Sequence, residues 1–408
     1  MSLTPLSAGF LPLLDSVLLV LAREKGFAEA EGLDLHLVRE TSWANIRDRA
    51  ALGHFDFAQM LAPMPIAATL GLNPLSVPMI APFGLGLGNN GITVSAGLWA
   101  KMAEAGARAT LEAGPVGVVL AKVVARSERK LRFGVVHQTS SHNYELRYWL
   151  AASGIVPDRD VEIVVLPPPY LPEALGAGGI DGYCVGEPWN TVGVKREGAH
   201  LATVKAAIWR SSPDKVIGMR AHWAEANGEI VVALLRALHR AAVWCGAAEN
   251  RAEGARIMAR PQYLDLPEEL VQPALSGVFD VGGGVRVEVQ DHFVPYARAA
   301  NFPWPSHALW FYSQMVRWGE VEHSASRAEA AAQTFRPDLY RAALAPIGVP
   351  VPAADRRIEG ALPVAASVPT TTGTSIEIGP DGFFDIKPFD PADVAGYIAS
   401  QRGNRQCP

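Results

Sequence analysis

The stretch at residues 41–70, TSWANIRDRAALGHFDFAQMLAPMPIAATL, decides how the rest of the chain is read. Ser42 stands ahead of an Ile46/Ala50 apolar stripe, the pattern of an N-cap with a helix from Trp43 to Leu52. Gly53-His54 turns the chain into a short strand at residues 55–59, and Pro63 and Pro65 open a second helix. Pro65 suits a first turn, where no backbone N–H is needed. Helix–strand–helix with Gln59 at the strand's carboxyl end puts that amide where α/β proteins bind ligands, outside the strand ends and beside a helix N-terminus. Trp43 and Gln59 then face one cleft, offering an indole N–H and an amide N–H₂. Two neutral donors near a helix N-terminus suit a small oxyanion.

Working outward, the first third alternates apolar strands with helical patterns. Residues 3–9 read as a strand, 16–25 as an amphipathic helix stopped by Gly26, 33–39 as an alternating strand, and 75–80 as another buried strand. That order predicts a mostly parallel sheet with helices on both faces. A glycine-rich loop at residues 83–91, FGLGLGNNG, breaks the pattern before a strand at 92–95. It lacks the Lys-Ser/Thr of a P-loop, and no Rossmann strand leads into a GxGxxG, so it reads as a flexible crossover rather than a cofactor loop.

A second α/β unit follows. Residues 131–136 form a strand, 142–153 a helix, 161–166 a strand and 171–177 a helix. A strand at 180–185 ends at Gly186-Glu187-Pro188-Trp189, and residues 216–219 read as a strand returning to the first unit. Two α/β lobes joined by two or more crossovers are the plan of a type II periplasmic-binding-protein-like clamp, hinged around its ligand. The expected division is a first lobe at 1–95 plus 216–349 and a second at 96–215. A C-terminal extension at 350–408 follows, its segment 350–372 rich in Pro, Ala and Thr, wrapping or docking on the first lobe.

Bulk properties exclude other classes. The chain has 408 residues, 49% hydrophobic and 19% charged, a globular balance with room for two domains. A net charge of −5 and the lack of basic runs with interleaved aromatics argue against a nucleic-acid surface. Cys184, Cys245 and Cys407 are odd in number and widely spaced, so neither a disulfide framework nor a zinc site is expected. His54, His137, His222, His292 and His307 form no HxxxH or HxH pair, and no metal or cofactor is expected. The start MSLTPLSAGF has no basic n-region, which with the cysteine usage reads as a cytoplasmic protein. The alternative is a periplasmic one whose leader was removed.

Several motifs together resemble one family. SWANIRD, AQMLAPMP with AATLG, SHN-x₃-RYWLA, DGYCVGEPWN and PDKVIGM are similar to the nitrate- and bicarbonate-binding proteins of ABC importers, and to the nitrate/nitrite sensor of the NasS type. The resemblance runs over nearly the whole chain. It implies that an anion is held by Trp43 in SWANIRD, Gln59 in AQMLAPMP, His142 in SHN, Gly186 in VGEPWN and Lys215 in PDKVIG. The bicarbonate-binding members carry Thr and Glu at the His142 and Lys215 positions, with a calcium ion. The sensor type implies a partner, an RNA-binding antiterminator of the NasT type, released when nitrate or nitrite binds.

The chemistry agrees with the nitrate side. Nitrate and nitrite have no proton to give, so their pocket needs donors and positive charge, whereas the O–H of bicarbonate rewards an acceptor. A four-atom ligand is limited to about 6 kcal/mol by ligand efficiency, so tighter binding asks for charge from Lys215, and from His142 if protonated. Each residue also has a plain alternative. Trp43 could be a packing residue, Gln59 or His142 a helix cap, Lys215 beside Asp214 a solvated turn charge, and Gly186-Glu187-Pro188 a tight turn. What joins them is convergence, since four distant segments end strands or open helices where a two-lobed plan has its cleft. Three rival functions remain: the importer's periplasmic receptor, a binder of bicarbonate or another oxyanion, and an enzyme using His142 and Glu187 as acid and base. The last lacks a nucleophile or cofactor anchor, so binding without catalysis is expected.

Overall fold

The computed structural model describes residues 3–402; Cys407 lies outside them. The first lobe carries β1 (Thr4–Phe10), β2 (Leu33–Arg39), β3 (Phe57–Leu61) and β4 (Met79–Gly84). They are joined by α1 (Val17–Glu24), α2 (Phe27–Ala30), α3 (Trp43–Ala51) and α4 (Pro63–Thr69). β5 (Leu87–Gly88) and β6 (Asn90–Val94) lead into the second lobe, which adds β7 (Leu131–Val135), β8 (Val161–Val165), β9 (Gly182–Gly186) and β10 (His200–Val204). Its helices are α5 (Ala96–Glu104), α6 (Ala113–Arg126), α7 (Ser141–Ala152), α8 (Leu171–Gly176) and α9 (Trp189–Glu197). After α10 (Lys205–Ile208) the chain returns to the first lobe as β11 (Lys215–Arg220).

The two sheets have the orders β2-β1-β3-β11-β4 and β10-β6-β9-β7-β8. In each, four strands run one way, and the strand that arrives from the other lobe, β11 or β6, runs against them. The sheets are therefore mixed, each with one antiparallel member where the crossover enters. All five residues of β3 are buried, as are all six of β11, which fits central strands covered on both faces.

Two details depart from the sequence reading. Asn90–Val94, grouped above with the first lobe, pairs with β9 and β10 in the second sheet. An apolar strand reads the same whichever sheet it joins; its distant partners decide. The loop at 83–91, read as flexible, is indeed a crossover, but it is buried, with Leu87–Gly88 paired to Phe293–Val294. Gly88 has φ +82° and a side chain there would run into the His292 carbonyl, so glycine is what lets two backbones pass this closely.

Beyond β11 the chain is mainly helical: α11 (Ala221–Ala226), α12 (Gly228–Gly246), α13 (Arg251–Met258), α14 (Glu268–Ser276), α15 (Pro305–Arg317), α16 (Ala325–Thr334), α17 (Pro337–Leu344) and α18 (Val394–Arg402). Every residue of α15 is buried, because α7, α16 and α18 enclose it. The C-terminal extension does not stay on the first lobe. Phe383 stacks on Trp209 at 4.6 Å and 24°, Arg210 N–H donates to the Gly382 carbonyl at 3.0 Å, and the Tyr148 hydroxyl of α7 donates to Asp385 at 2.8 Å. Meanwhile Arg341 of α17 pairs with Asp355. The extension straps both lobes and the return crossover, held by contacts that its weak periodicity does not reveal.

Candidate functional site

Each element end delivers one side chain to the space between the lobes. Ser42 caps α3, accepting from Asn45 N–H at 3.2 Å, and so fixes Trp43 in the first helical turn. Ser140 caps α7 by accepting from Asn143 N–H at 3.0 Å, which frees His142 from that duty and leaves it in the first turn of the helix. Lys215 opens β11, its carbonyl accepting from Leu85 N–H at 2.8 Å. Gly186 closes β9 opposite Asn90.

Gln59 departs from its expected place. It sits in the middle of β3, opposite Ile217, rather than at the strand's end. Its carbonyl accepts from Leu11 N–H at 2.8 Å, and its amide donates to Asp15 Oδ1. One N–H of the amide is therefore already engaged.

The five residues do converge. The Lys215 ammonium lies 3.5 Å from His142 Nε2 and 5.9 Å from the centre of the Trp43 ring. Gln59 and Lys215 share the Asp15 carboxylate, whose Oδ2 is 3.2 Å from Lys215 Nζ. A Cβ on Gly186 would stand 3.3 Å from Leu13 and 3.5 Å from Asp15 Oδ2, so glycine admits the neighbouring lobe to the carboxylate. All are buried. The indole N–H of Trp43 and Nδ1 of His142 have no hydrogen-bond partner among the described residues. Unpaired buried donors of this kind are costly unless a ligand or water completes them.

The lobes meet directly around this cluster. Leu14 N–H donates to the Glu187 carbonyl at 2.8 Å, and the Trp189 indole donates to the Pro12 carbonyl at 2.9 Å. Ser141 of α7 donates to Asp214, and Asp214 in turn pairs with Lys215.

Sequence reasoning missed the carboxylates. Asp15, Asp214 and Glu145 all face the two lysines Lys215 and Lys205. Lys205 pairs with Glu145 and donates to the Pro213 carbonyl at 2.5 Å, while Asn90 donates to Glu145 at 3.1 Å. A signal for Asp15 did exist: it is one carboxylate set in the apolar run LPLLDSVLLVLA. Such an acid is rarely buried without a partner. Asp214 was visible as the neighbour of Lys215, but the pair is buried, not a solvated turn.

Protonation follows from these contacts. Burial opposes the Lys215 charge, yet Asp15 and Asp214 outweigh it and raise its pKa. Burial, reinforced by the nearby Lys215, holds His142 well below the usual histidine value, so this ring is neutral rather than an added positive charge. Burial raises the Asp15 pKa, with Asp214 adding to it against the pull of Lys215. Asp214 goes the other way: Lys215 and Lys205 overcome its burial and keep it ionised. Burial pushes Glu187 up to about 7, and its carboxylate accepts from the Thr191 hydroxyl at 2.8 Å and the Thr191 N–H at 3.1 Å. That places it on the start of α9, as a helix-end acceptor rather than a base paired with His142. Among the described residues no group of three or more His, Cys, Asp or Glu side chains could hold a metal ion.

Comparison with known proteins agrees with this frame. Residues 2–259 match the NMT1-like family. The chain is 32% identical over 401 residues to the nitrate/nitrite binding protein NrtA of Synechococcus elongatus, covering 96% of this chain and 84% of that one. It is 36% identical over 348 residues to the nitrate import ATP-binding protein NrtC of Synechocystis sp., covering 85% of this chain. It spans 50% of NrtC's length. The crystal structure of the periplasmic nitrate-binding protein NrtA from Synechocystis PCC 6803 superposes with a TM-score of 0.85 at 27% identity, over 98% of both chains. The two-lobed periplasmic-binding-protein-like fold is thereby shown, and the chain belongs to the NMT1-like family, in its NrtA/CmpA-type group.

Proposed function

We propose that this member of the NMT1-like family binds nitrate or nitrite between its lobes and performs no catalysis. The observation that carries the reading is the buried meeting of Trp43, Gln59, His142, Gly186 and Lys215, drawn from both lobes around one ammonium group. Trp43, neutral His142 and the second N–H of Gln59 offer donors, the backbone at Gly186 closes the far side, and Lys215 supplies charge. An anion held this way favours the closed lobes only by its stronger binding to that state. Calorimetry with nitrate, nitrite and bicarbonate tests it. Heat with nitrate or nitrite is expected, and bicarbonate binding alone would sink the reading.

The motif resemblance to the NasS type supports a cytoplasmic sensor that holds a NasT-type antiterminator and releases it when the anion closes the lobes. Gel filtration of the pair with and without nitrate checks this, since a complex indifferent to nitrate refutes it. The second reading, a periplasmic receptor of an ABC importer, is favoured by the similarity to NrtA. It predicts capture by a transporter's membrane subunits instead.

A further inference from the structure

The donors assigned to the anion are already partly engaged within the chain. Asp15 stands in the turn before α1, with Gln59 on one oxygen and Lys215 (3.2 Å) and Asn89 (3.1 Å) on the other. A carboxylate is itself a planar oxyanion, similar in size and charge to nitrite, tethered here by its own backbone. We propose that Asp15 is an internal oxyanion sharing the donors of this cleft, and that a proton-free anion gains Lys215 and Gln59 only as Asp15 takes up a proton from solvent. This rests on the reading of the cleft as the anion site.

The physical reason is charge balance. Lys215 is one positive group facing two carboxylates, Asp15 and Asp214. A bare anion added beside them would bring a further negative charge to a buried cluster in which Lys215 and Lys205 already face Asp15, Asp214 and Glu145. Protonating one carboxylate restores the balance, and of the two that touch Lys215 it is Asp15 whose proton affinity is raised, while Asp214 is held ionised by two lysines. The other groups facing Asp15 do not take its place. His142, beside Lys215, is held neutral, and Gln59 and Asn89 do not titrate. Burial pushes Glu187 and Glu145 up to about 7 as well, but Glu187 turns its carboxylate to Thr191 and Glu145 faces Lys205 and Asn90, so neither holds the donors Lys215 and Gln59. Protonated Asp15 keeps one oxygen as acceptor for an amide and presents an O–H to the anion.

The test is calorimetric titration of the full chain with sodium nitrate, from about pH 5.5 to 8.5, in buffers of different ionisation enthalpy. Above the Asp15 pKa, nitrate binding should take up close to one proton, and affinity should fall about tenfold per pH unit. Asp15→Asn should bind without proton uptake, with affinity independent of pH. Wild-type binding with no proton uptake, or an unchanged slope in Asp15→Asn, overturns the proposal while leaving the anion site standing. Failure of both proteins to bind nitrate at any pH removes the site and the proposal together. Should Asp15→Asn fail to fold, Asp15→Ser is titrated in its place and read in the same way.

Discussion

Lys215 at the start of β11 and Asp15 in the turn before α1, far apart along the chain, lie 3.2 Å apart in the buried seam between lobes. Together with Asp214 they make a charge cluster in which each member is acceptable because the others are present.

Lys215→Met leaves both carboxylates buried without their main counter-charge. Removing one partner of a buried ion pair typically costs about 3–5 kcal/mol. Combining it with Asp15→Asn removes one of the stranded charges, so the double variant should lose less than Lys215→Met alone. Urea unfolding of the four proteins measures the coupling, and additive losses would argue that the two groups do not interact. Lys215→Glu is a poor probe of the anion site, because a third carboxylate in the cluster threatens the fold itself.

Trp43→Phe keeps an aromatic ring in place and deletes the unpaired indole N–H. With one neutral hydrogen bond worth about 1 kcal/mol, nitrate affinity should fall several-fold to tenfold. Stability without the anion should hold or rise slightly. Unaltered affinity would take Trp43 off the list of donors.

His292 is fully buried against Phe279 at 4.3 Å, and neither ring nitrogen has a partner among the described residues. Burial lowers its pKa to about 3. Between that value and the unfolded value of about 6.5, the unfolded chain binds a proton that the folded chain refuses, so stability falls as pH falls through this window. His292→Phe abolishes this contribution. Its stability advantage over wild type should grow on acidification by up to about 1.4 kcal/mol per pH unit, read from melting curves. A pH-independent difference would show that His292 titrates alike in the folded and unfolded chain.

Phe383 anchors the C-terminal extension on Trp209, in the crossover beside Lys215, and also packs on Tyr148 and Trp310. Phe383→Ala should cost about 3–5 kcal/mol for the lost contacts and the cavity. Limited proteolysis should then cut within the extension before it cuts either lobe. A variant that melts with wild type would mean that the strap contributes little to holding the lobes.

Local signals made much of the frame readable. The Ser42 cap, the Pro63 entry and the alternation of residues 33–39 all fall within a residue or two of the observed elements. Trp43, Gln59, His142 and Lys215 come together with Gly186 in one buried place between the lobes. Gln59 stands mid-strand because β3 runs on through Met60 and Leu61, two apolar residues beyond the strand expected at 55–59. The strand at Asn90–Val94 and the docking of the extension depended on partners far along the chain, and no local pattern names a partner.

The order of strands and helices and the donor types they carry can be read along the chain, because caps, prolines and apolar periodicity act within a few residues. What tertiary structure decided is the charge state of those donors. A buried group's proton affinity follows from the charges within a few ångströms of it, and here Asp15 reaches Lys215 from a turn far along the chain while α10 folds Lys205 back onto Asp214.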